Sequence, residues 1–177
     1  MQTGAFLGPF AALALGLSPV RVLAQPLPSD HLIVAGSRIG NAGLERADQG
    51  SVFRELGEPD HTEQTSDHAY YMYGPLPADG GYPDELVVDF DLTKDEPFEI
   101  STASPLYRTF QGLGVGSLQD EVRSKLGTPL CESNGPRGAG LMVYRSIWFL
   151  LSRGAVSKVS IRDQLGPKDF KAGPLHC

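Results

Sequence analysis

The sequence predicts an α+β fold: two tandem units, each a short helix followed by three antiparallel strands, sharing one continuous sheet with the helices on one face. The first observation behind this prediction is residues 109–129, a glycine-rich entry, a short capped helix and a proline stop. The second is an echo of that pattern in residues 39–59. The third is a similar series of strand-like segments after each copy.

The later copy has a complete set of helix signals over 117–126. Ser117 is the candidate N-cap, and Asp120 follows three residues later as in a capping box. Gly127 can adopt the left-handed conformation that ends a helix, and Pro129 prevents the helix from resuming. An apolar stripe with a spacing of four consists of Leu118, Val122 and Leu126.

The earlier copy predicts a weaker helix. Asp48 stands where the later copy has Leu118, which makes Asp48 the candidate N-cap of a shorter helix. Gly50 costs this helix roughly 1 kcal/mol relative to alanine. The positions that match the later copy at a constant offset are Val52, Leu56, Gly57 and Pro59.

Three segments after each helix have the composition of strands. Residues 147–151 are apolar on both faces, which is typical of a strand near the middle of a sheet. The two repeats are therefore bounded at 38–104 and 105–163. The predicted strands are 68–73, 85–91 and 98–102 in the first repeat, and 141–145, 147–151 and 155–161 in the second.

The beginning of the chain predicts export. Residues 5–17 form an apolar run of the length found in signal peptides, and Val22-Leu23-Ala24 resembles a cleavage site. We therefore assign 1–24 to a signal peptide, although no basic residue precedes the apolar run. A linker follows at 25–37, with 32–34 as a candidate short strand near its end, and 164–177 form a C-terminal tail. The mature protein is expected to be periplasmic or secreted, with no transmembrane span.

The two cysteines of the chain are Cys131 and Cys177. An exported protein meets an oxidising compartment, where an even number of cysteines usually forms disulfides. We predict a Cys131–Cys177 bridge. The alternatives are two free thiols, or a Cys177 that pairs with another chain.

Composition and motifs exclude several functions. A formal charge of −6 argues against nucleic acid as a partner. The sequence has no G-x-S-x-G nucleophile elbow, and the pairs Asp60-His61 and Asp67-His68 are too sparse for a zinc site. We therefore predict no catalytic residues, no metal and no cofactor. Asp89 and Asp91 are interpreted as part of a solvated sheet face.

The run Gly112-Leu113-Gly114-Val115-Gly116-Ser117, with Val122, Leu126-Gly127 and Pro129, precedes three strands and occurs twice. This pattern resembles the β-lactamase-inhibitor-protein-like repeat, which also has a single-copy relative in the small outer-membrane lipoprotein of the β-barrel assembly machinery. The resemblance implies an exported protein that binds other proteins through a concave sheet face. It also implies that an aspartate-and-tyrosine hairpin of the first repeat contacts the partner.

In this chain the corresponding hairpin spans 70–82, and its candidate partner-binding residues are Tyr70, Tyr71, Tyr73, Asp79 and Tyr82. Tyrosine is favoured at protein interfaces, although alternate tyrosines of a strand can instead pack against the helix. The main hypothesis is an exported, non-enzymatic module, of the adaptor or inhibitor type, that binds another envelope or secreted protein. The alternative is a small exported enzyme or a small-ligand-binding protein with a pocket between the repeats.

Overall fold

β-Strands dominate the part of the chain that the structure describes. The structure, a computed structural model, describes residues 30–45 and 48–162. Those residues form twelve strands in two sheets, and the two α-helices have only eight residues each. The predicted α+β arrangement of helix-plus-three-strand repeats is therefore wrong, because the fold is mostly β and contains a second sheet that the prediction lacked.

The large sheet contains eight antiparallel strands. They are β4 (His61–Gln64), β5 (His68–Tyr73), β6 (Leu86–Asp91), β7 (Glu96–Thr102), β9 (Cys131–Asn134), β10 (Gly140–Val143), β11 (Ile147–Ser152) and β12 (Ala155–Arg162). Their order across the sheet is β4-β5-β6-β7-β12-β11-β10-β9. The sheet thus consists of one group of four strands, β4 to β7, and a second group, β9 to β12, and the two groups meet where β7 pairs with β12.

The small sheet is built from segments that precede the helices. Its strands are β1 (Leu32–Val34), β2 (Arg38–Ile39), β3 (Ala42–Gly43) and β8 (Arg108–Thr109). β8 pairs in parallel with β1, so residues far apart in sequence lie side by side. Residues 25–37, predicted as a linker, thus contain the strand that pairs with both β2 and β8.

The fold prediction failed because short polar segments took extended conformations. Residues 60–67 and 130–140 are rich in polar and turn residues, a composition that is typical of loops. They instead supply β4 and β9, the two edge strands of the large sheet. Edge strands need only one paired neighbour and tolerate polar residues on their free side, which hides them from a search for apolar alternation.

The two helices begin in different ways. Helix α1 (Gln49–Leu56) starts after Asp48, whose carboxylate accepts a hydrogen bond from the Ser51 backbone N–H, as expected for an N-cap. Helix α2 (Gln119–Leu126) starts after Leu118 and has no side-chain cap. The predicted cap Ser117 is buried and its hydroxyl accepts a hydrogen bond from Gly114 N–H, so it fixes the preceding loop instead.

A single cluster of buried side chains unites both sheets and both helices. Strand alternation points Tyr71, Ile100 and Ile161 to one face of the large sheet, here called the core face. Val52 of α1 and Val122 of α2 pack into the same cluster. From the small sheet the cluster receives Ile33, Ile39 and Ala42.

Parts of three predictions lie outside the described residues. These are the signal peptide at 1–24, the C-terminal tail at 164–177 and the Cys177 end of the predicted disulfide. Cys131 itself is buried at the start of β9. The Cys131–Cys177 bridge therefore stays a prediction.

We expect Ile100→Ala to lower the free energy of unfolding by about 3 kcal/mol, because Ile100 is fully buried at the centre of the large sheet and its truncation leaves a cavity. Urea denaturation followed by circular dichroism measures this loss. The control is Leu150→Ala, on a half-exposed side chain of the same sheet, which should cost about 1 kcal/mol or less. Equal losses for the two variants would contradict this account of the core.

Candidate functional site

The face of the large sheet opposite the core face, here called the second face, carries a row of charged and polar side chains. Successive cross-strand pairs join Glu63 to Tyr70, Tyr70 to Asp89, Asp89 to Glu99 and Glu99 to Arg162. These five residues, the charged row, cross strands β4, β5, β6, β7 and β12. Directly opposed side chains in a sheet lie close enough to interact, so the row is a continuous electrostatic unit.

Two carboxylates stand directly opposite each other in this row. Like charges in that position repel, which costs stability. Each carboxylate has a basic partner: His68 Nδ1, which is cationic when the ring is protonated, lies 2.6 Å from Asp89, and Arg162 lies 2.5 Å from Glu99. The Asp89–Glu99 pair is therefore stabilised only as part of a four-residue network.

The Arg162 guanidinium lies between two aromatic rings and the Glu99 carboxylate. Its guanidinium carbon lies 4.7 Å from the Phe98 ring centre and 4.1 Å from the Trp148 ring centre. Phe98 reaches this face through a β-bulge, where the register between β6 and β7 shifts after Asp89. The indole N–H of Trp148 is buried in the same region and has no hydrogen-bond partner among residues 30–45 and 48–162.

At the other end of the row, the β5–β6 connection folds onto the edge strand. Tyr82 stacks on His61, with ring centres 4.3 Å apart and an interplanar angle of 19°. The neighbouring Glu63 carboxylate raises the pKa of the Tyr82 hydroxyl above its ordinary value. Tyr82 nevertheless keeps 53% of its surface exposed. The residues Tyr70, Tyr82, His61 and Glu63 are called the tyrosine end from here on.

The electrostatics of the row shift its titrating groups. The hydrogen bond to Asp89 raises the pKa of His68 above 6.5, its ordinary value. Burial raises the pKa of Asp89, although His68 acts in the opposite direction. The nearby carboxylates, led by Asp89, raise the pKa of Tyr70 above its ordinary value of 10.0.

The structure divides the five predicted partner-binding residues between three places. Tyr70 and Tyr82 lie at the tyrosine end. Tyr71 and Tyr73 lie on the core face beneath α1, where the Tyr71 hydroxyl accepts a hydrogen bond from Gln49 and the Tyr73 hydroxyl donates one to Gly57 C=O. Asp79 is exposed in the 74–85 connection and accepts a hydrogen bond from Gly81 N–H. Tyr71 is only 3% exposed and has no surface to offer a partner.

Sequence analysis missed His68, Glu99 and Arg162 as members of this site. The sequence analysis assigned Asp89 to a solvated sheet face; Asp89 lies on the second face, but its side chain is only 16% exposed and is bonded to His68. Asp91, grouped with Asp89 in the sequence, instead holds the turn after β6, and Thr93 lowers its pKa to about 2. The cross-strand register was the missing information, and periodicity within a single strand does not supply it.

A cleft of about 230 Å³ lies at the small sheet and is lined by Ile33, Val34, Ala35, Thr109, Phe110, Gln111, Leu126 and Ile147. The described residues of its lining include no ionisable side chain. Phe110 is 80% exposed. The loop that carries it is held by the hydrogen bonds Gly112 N–H to Thr109 C=O and Lys125 Nζ to Gln111 C=O.

Within residues 30–45 and 48–162, no three side chains of His, Cys, Asp or Glu converge as a metal site would require. In the same part of the chain, no helix combines the length and the apolar character needed to cross a membrane.

Comparisons with known proteins add information on the fold alone. No protein-family model matches the chain, and no curated protein sequence matches it either. A solved structure of a DUF4309 family protein (YjgB) from Bacillus subtilis is similar over 73% of this chain and 88% of that chain, with a TM-score of 0.50 and 16% identity. At that identity the likeness concerns architecture only.

A second solved structure is an extracellular protein containing an SCP domain from Bacillus anthracis str. Ames. It is similar over 66% of this chain and 43% of that chain, with a TM-score of 0.44 and 13% identity. The chain thus spans less than half the length of that protein.

We expect the His68 ring to titrate above pH 6.5 in the folded protein, and Asp89→Asn to lower its pKa, because the variant removes the anionic hydrogen-bond partner. Proton NMR of the histidine ring measures both values. A raised folded-state pKa stabilises the protein below the unfolded-state pKa, and this contribution disappears as pH rises through the folded-state pKa. The stability advantage of wild type over Asp89→Asn should therefore shrink as the pH rises past 6.5.

The control for this measurement is Asp67→Asn, which removes an exposed carboxylate that affects His68 only through space. It should shift the His68 pKa less than Asp89→Asn does. Equal shifts would mean that general surface charge, and not the hydrogen bond, sets the His68 pKa.

Proposed function

We propose that this chain is an exported, non-enzymatic protein-binding module of the bacterial cell envelope that contacts its partner through the tyrosine end of the second face. The observation that carries this proposal is an exposed aromatic ring held in a fixed position. Tyr82 is half exposed, yet its ring stacks on the His61 ring with the two ring centres 4.3 Å apart.

Such an arrangement suits binding for a physical reason. Association costs free energy whenever a mobile side chain must be ordered, and an aromatic ring already fixed in place avoids much of that cost. Tyrosine combines a large apolar area with a polar tip and is enriched among residues that dominate interface energetics. Tyr70, half-buried in the adjacent strand β5, extends the same surface along the charged row.

The resemblance to the β-lactamase-inhibitor-protein-like repeat supports the same proposal. In that family the contact is made by an aspartate-and-tyrosine hairpin, and here the 74–85 connection carries Asp79 and Tyr82. The predicted signal peptide at 1–24 supports export. We propose another exported or envelope protein as the partner.

A second candidate function is the binding of a small apolar ligand in the cleft beside Phe110. The observation that favours it is the cleft of about 230 Å³ with a mostly apolar lining. That volume exceeds the roughly 150 Å³ of an engineered apolar cavity that accepts benzene. Because the described residues of the lining include no ionisable group, this candidate is a binding function and not a catalytic one.

The test compares three forms of the full chain as bait in the native envelope: wild type, Tyr82→Ala and Phe110→Ala. The two variants are matched, because each removes one exposed aromatic side chain from a different surface. We expect a cross-linked protein to be captured by wild type and by Phe110→Ala, but not by Tyr82→Ala. The purified partner should then bind Tyr82→Ala about 5- to 30-fold more weakly than wild type.

Thermal melting of each bait first establishes that it is folded. If Phe110→Ala loses the captured protein and Tyr82→Ala keeps it, the partner binds at the cleft and not at the tyrosine end. Equal capture by all three baits would contradict the proposed role of the tyrosine end.

A further inference from the structure

The charged row is not neutralised evenly along its length. Asp89 and Glu99 each have a basic side chain within hydrogen-bond distance, His68 and Arg162 respectively. Glu63, at the opposite end, has only His61 at 4.0 Å. Among the described residues no lysine or arginine forms an ion pair with Glu63 or with Asp67, which lies in the turn between β4 and β5.

The Tyr70 ring lies in the middle of this surplus negative charge. Its cross-strand neighbours are Glu63 on one side and Asp89 on the other. Asp89 is bonded to His68, whose ring lies parallel to the Tyr70 ring with the ring centres 6.2 Å apart. Among the described residues, the carboxylates of this surface left without a lysine or arginine are therefore Glu63 and Asp67. Asp67 and Glu99 also act on it through space. The face of an aromatic ring is itself electronegative, so carboxylates around it create a site that favours a cation.

At the opposite end of the charged row, an arginine of this chain already occupies a site made of aromatic rings and a carboxylate. There the Arg162 guanidinium lies over the rings of Phe98 and Trp148 and bonds to Glu99. A guanidinium is planar, stacks on aromatic rings and donates to carboxylates in a fixed geometry. The tyrosine end offers the same two components, an aromatic ring and a carboxylate, without an arginine of its own among the described residues.

We propose that the partner of the tyrosine end presents an arginine side chain, whose guanidinium lies on the Tyr70 ring and pairs with Glu63. This inference rests on the proposed protein-binding function and names the chemistry of its partner. The net charge of −6 acts in the same direction, because it accelerates encounter with a basic surface.

The test uses the full chain labelled with ¹⁵N and titrated with N-acetyl-arginine amide. N-acetyl-norleucine amide, which has a similar length and no charge, is the reference probe. We expect saturable shifts of the amide signals of Glu63, Asp67 and Tyr70 with the arginine probe alone. Equal responses to the two probes, or no response to either, would overturn the inference.

Two variants locate the binding site. Glu63→Gln should weaken binding of the arginine probe by a factor of about two to five, the size expected of one exposed ion-pair or cation–π contact. Tyr70→Leu should weaken it by a similar factor. The matched control is Glu55→Gln, an exposed position on α1 beyond the core face, which changes the net charge equally and should leave binding unchanged.

Failure of this inference is distinguishable from failure of the proposed function. If Tyr82→Ala loses the captured partner while Glu63→Gln binds it as wild type does, the tyrosine end is the interface and the arginine assignment is wrong. If Tyr82→Ala keeps the partner, the interface itself is wrong, whatever the arginine probe does.

Discussion

The pairing of β7 with β12 is the interaction on which the rest of the structure depends. These strands join two groups of four into one sheet through four cross-strand pairs, from Val159–Thr102 to Arg162–Glu99. On the core face the pairing brings Ile100 and Ile161 together, both fully buried. On the second face it brings Glu99 to Arg162, so one pairing builds both the core and the charged row.

The second face shows how a costly arrangement is stabilised. The directly opposed carboxylates of Asp89 and Glu99 would repel each other. Asp89 bonds to His68 of the adjacent strand β5, and Glu99 bonds to Arg162 of the adjacent strand β12. Arg162 is in turn positioned by two aromatic rings, one of which depends on the bulge in β7. The network is satisfied at the Arg162 end and left with surplus negative charge at the Tyr70 end, and that asymmetry is the basis of the binding proposal.

The helices and most strands of the large sheet could be predicted from the sequence, because caps, stops and alternation are local signals. Asp48 and Gly57 bound α1 as their chemistry requires. The small sheet could not be predicted, since β1 pairs with β8 across more than seventy residues and both strands are very short. Phe98 illustrates a subtler limit: simple alternation puts it on the same face as Ile100, and the bulge turns it to the other.

The candidate site could be predicted only in part, because the sequence does not show how the strands pair. A run of tyrosines marks 70–82 as unusual, but the face each one occupies follows from strand register and packing. Tyr71 packs against Phe53 of α1 with ring centres 5.0 Å apart, whereas Tyr70, one residue earlier, faces the carboxylates. The charged row is visible only once five strands are aligned.

The most direct test of this account is the backbone contact between β7 and β12 in solution. Nuclear Overhauser effects should connect the backbone protons of Ser101 with those of Ser160, and of Ile100 with those of Ile161, as antiparallel partners. Observation of these contacts would support a single eight-stranded sheet and with it the charged row. Their absence, or a register shifted by one residue, would separate Glu99 from Arg162 and contradict both the fold and the proposed binding surface.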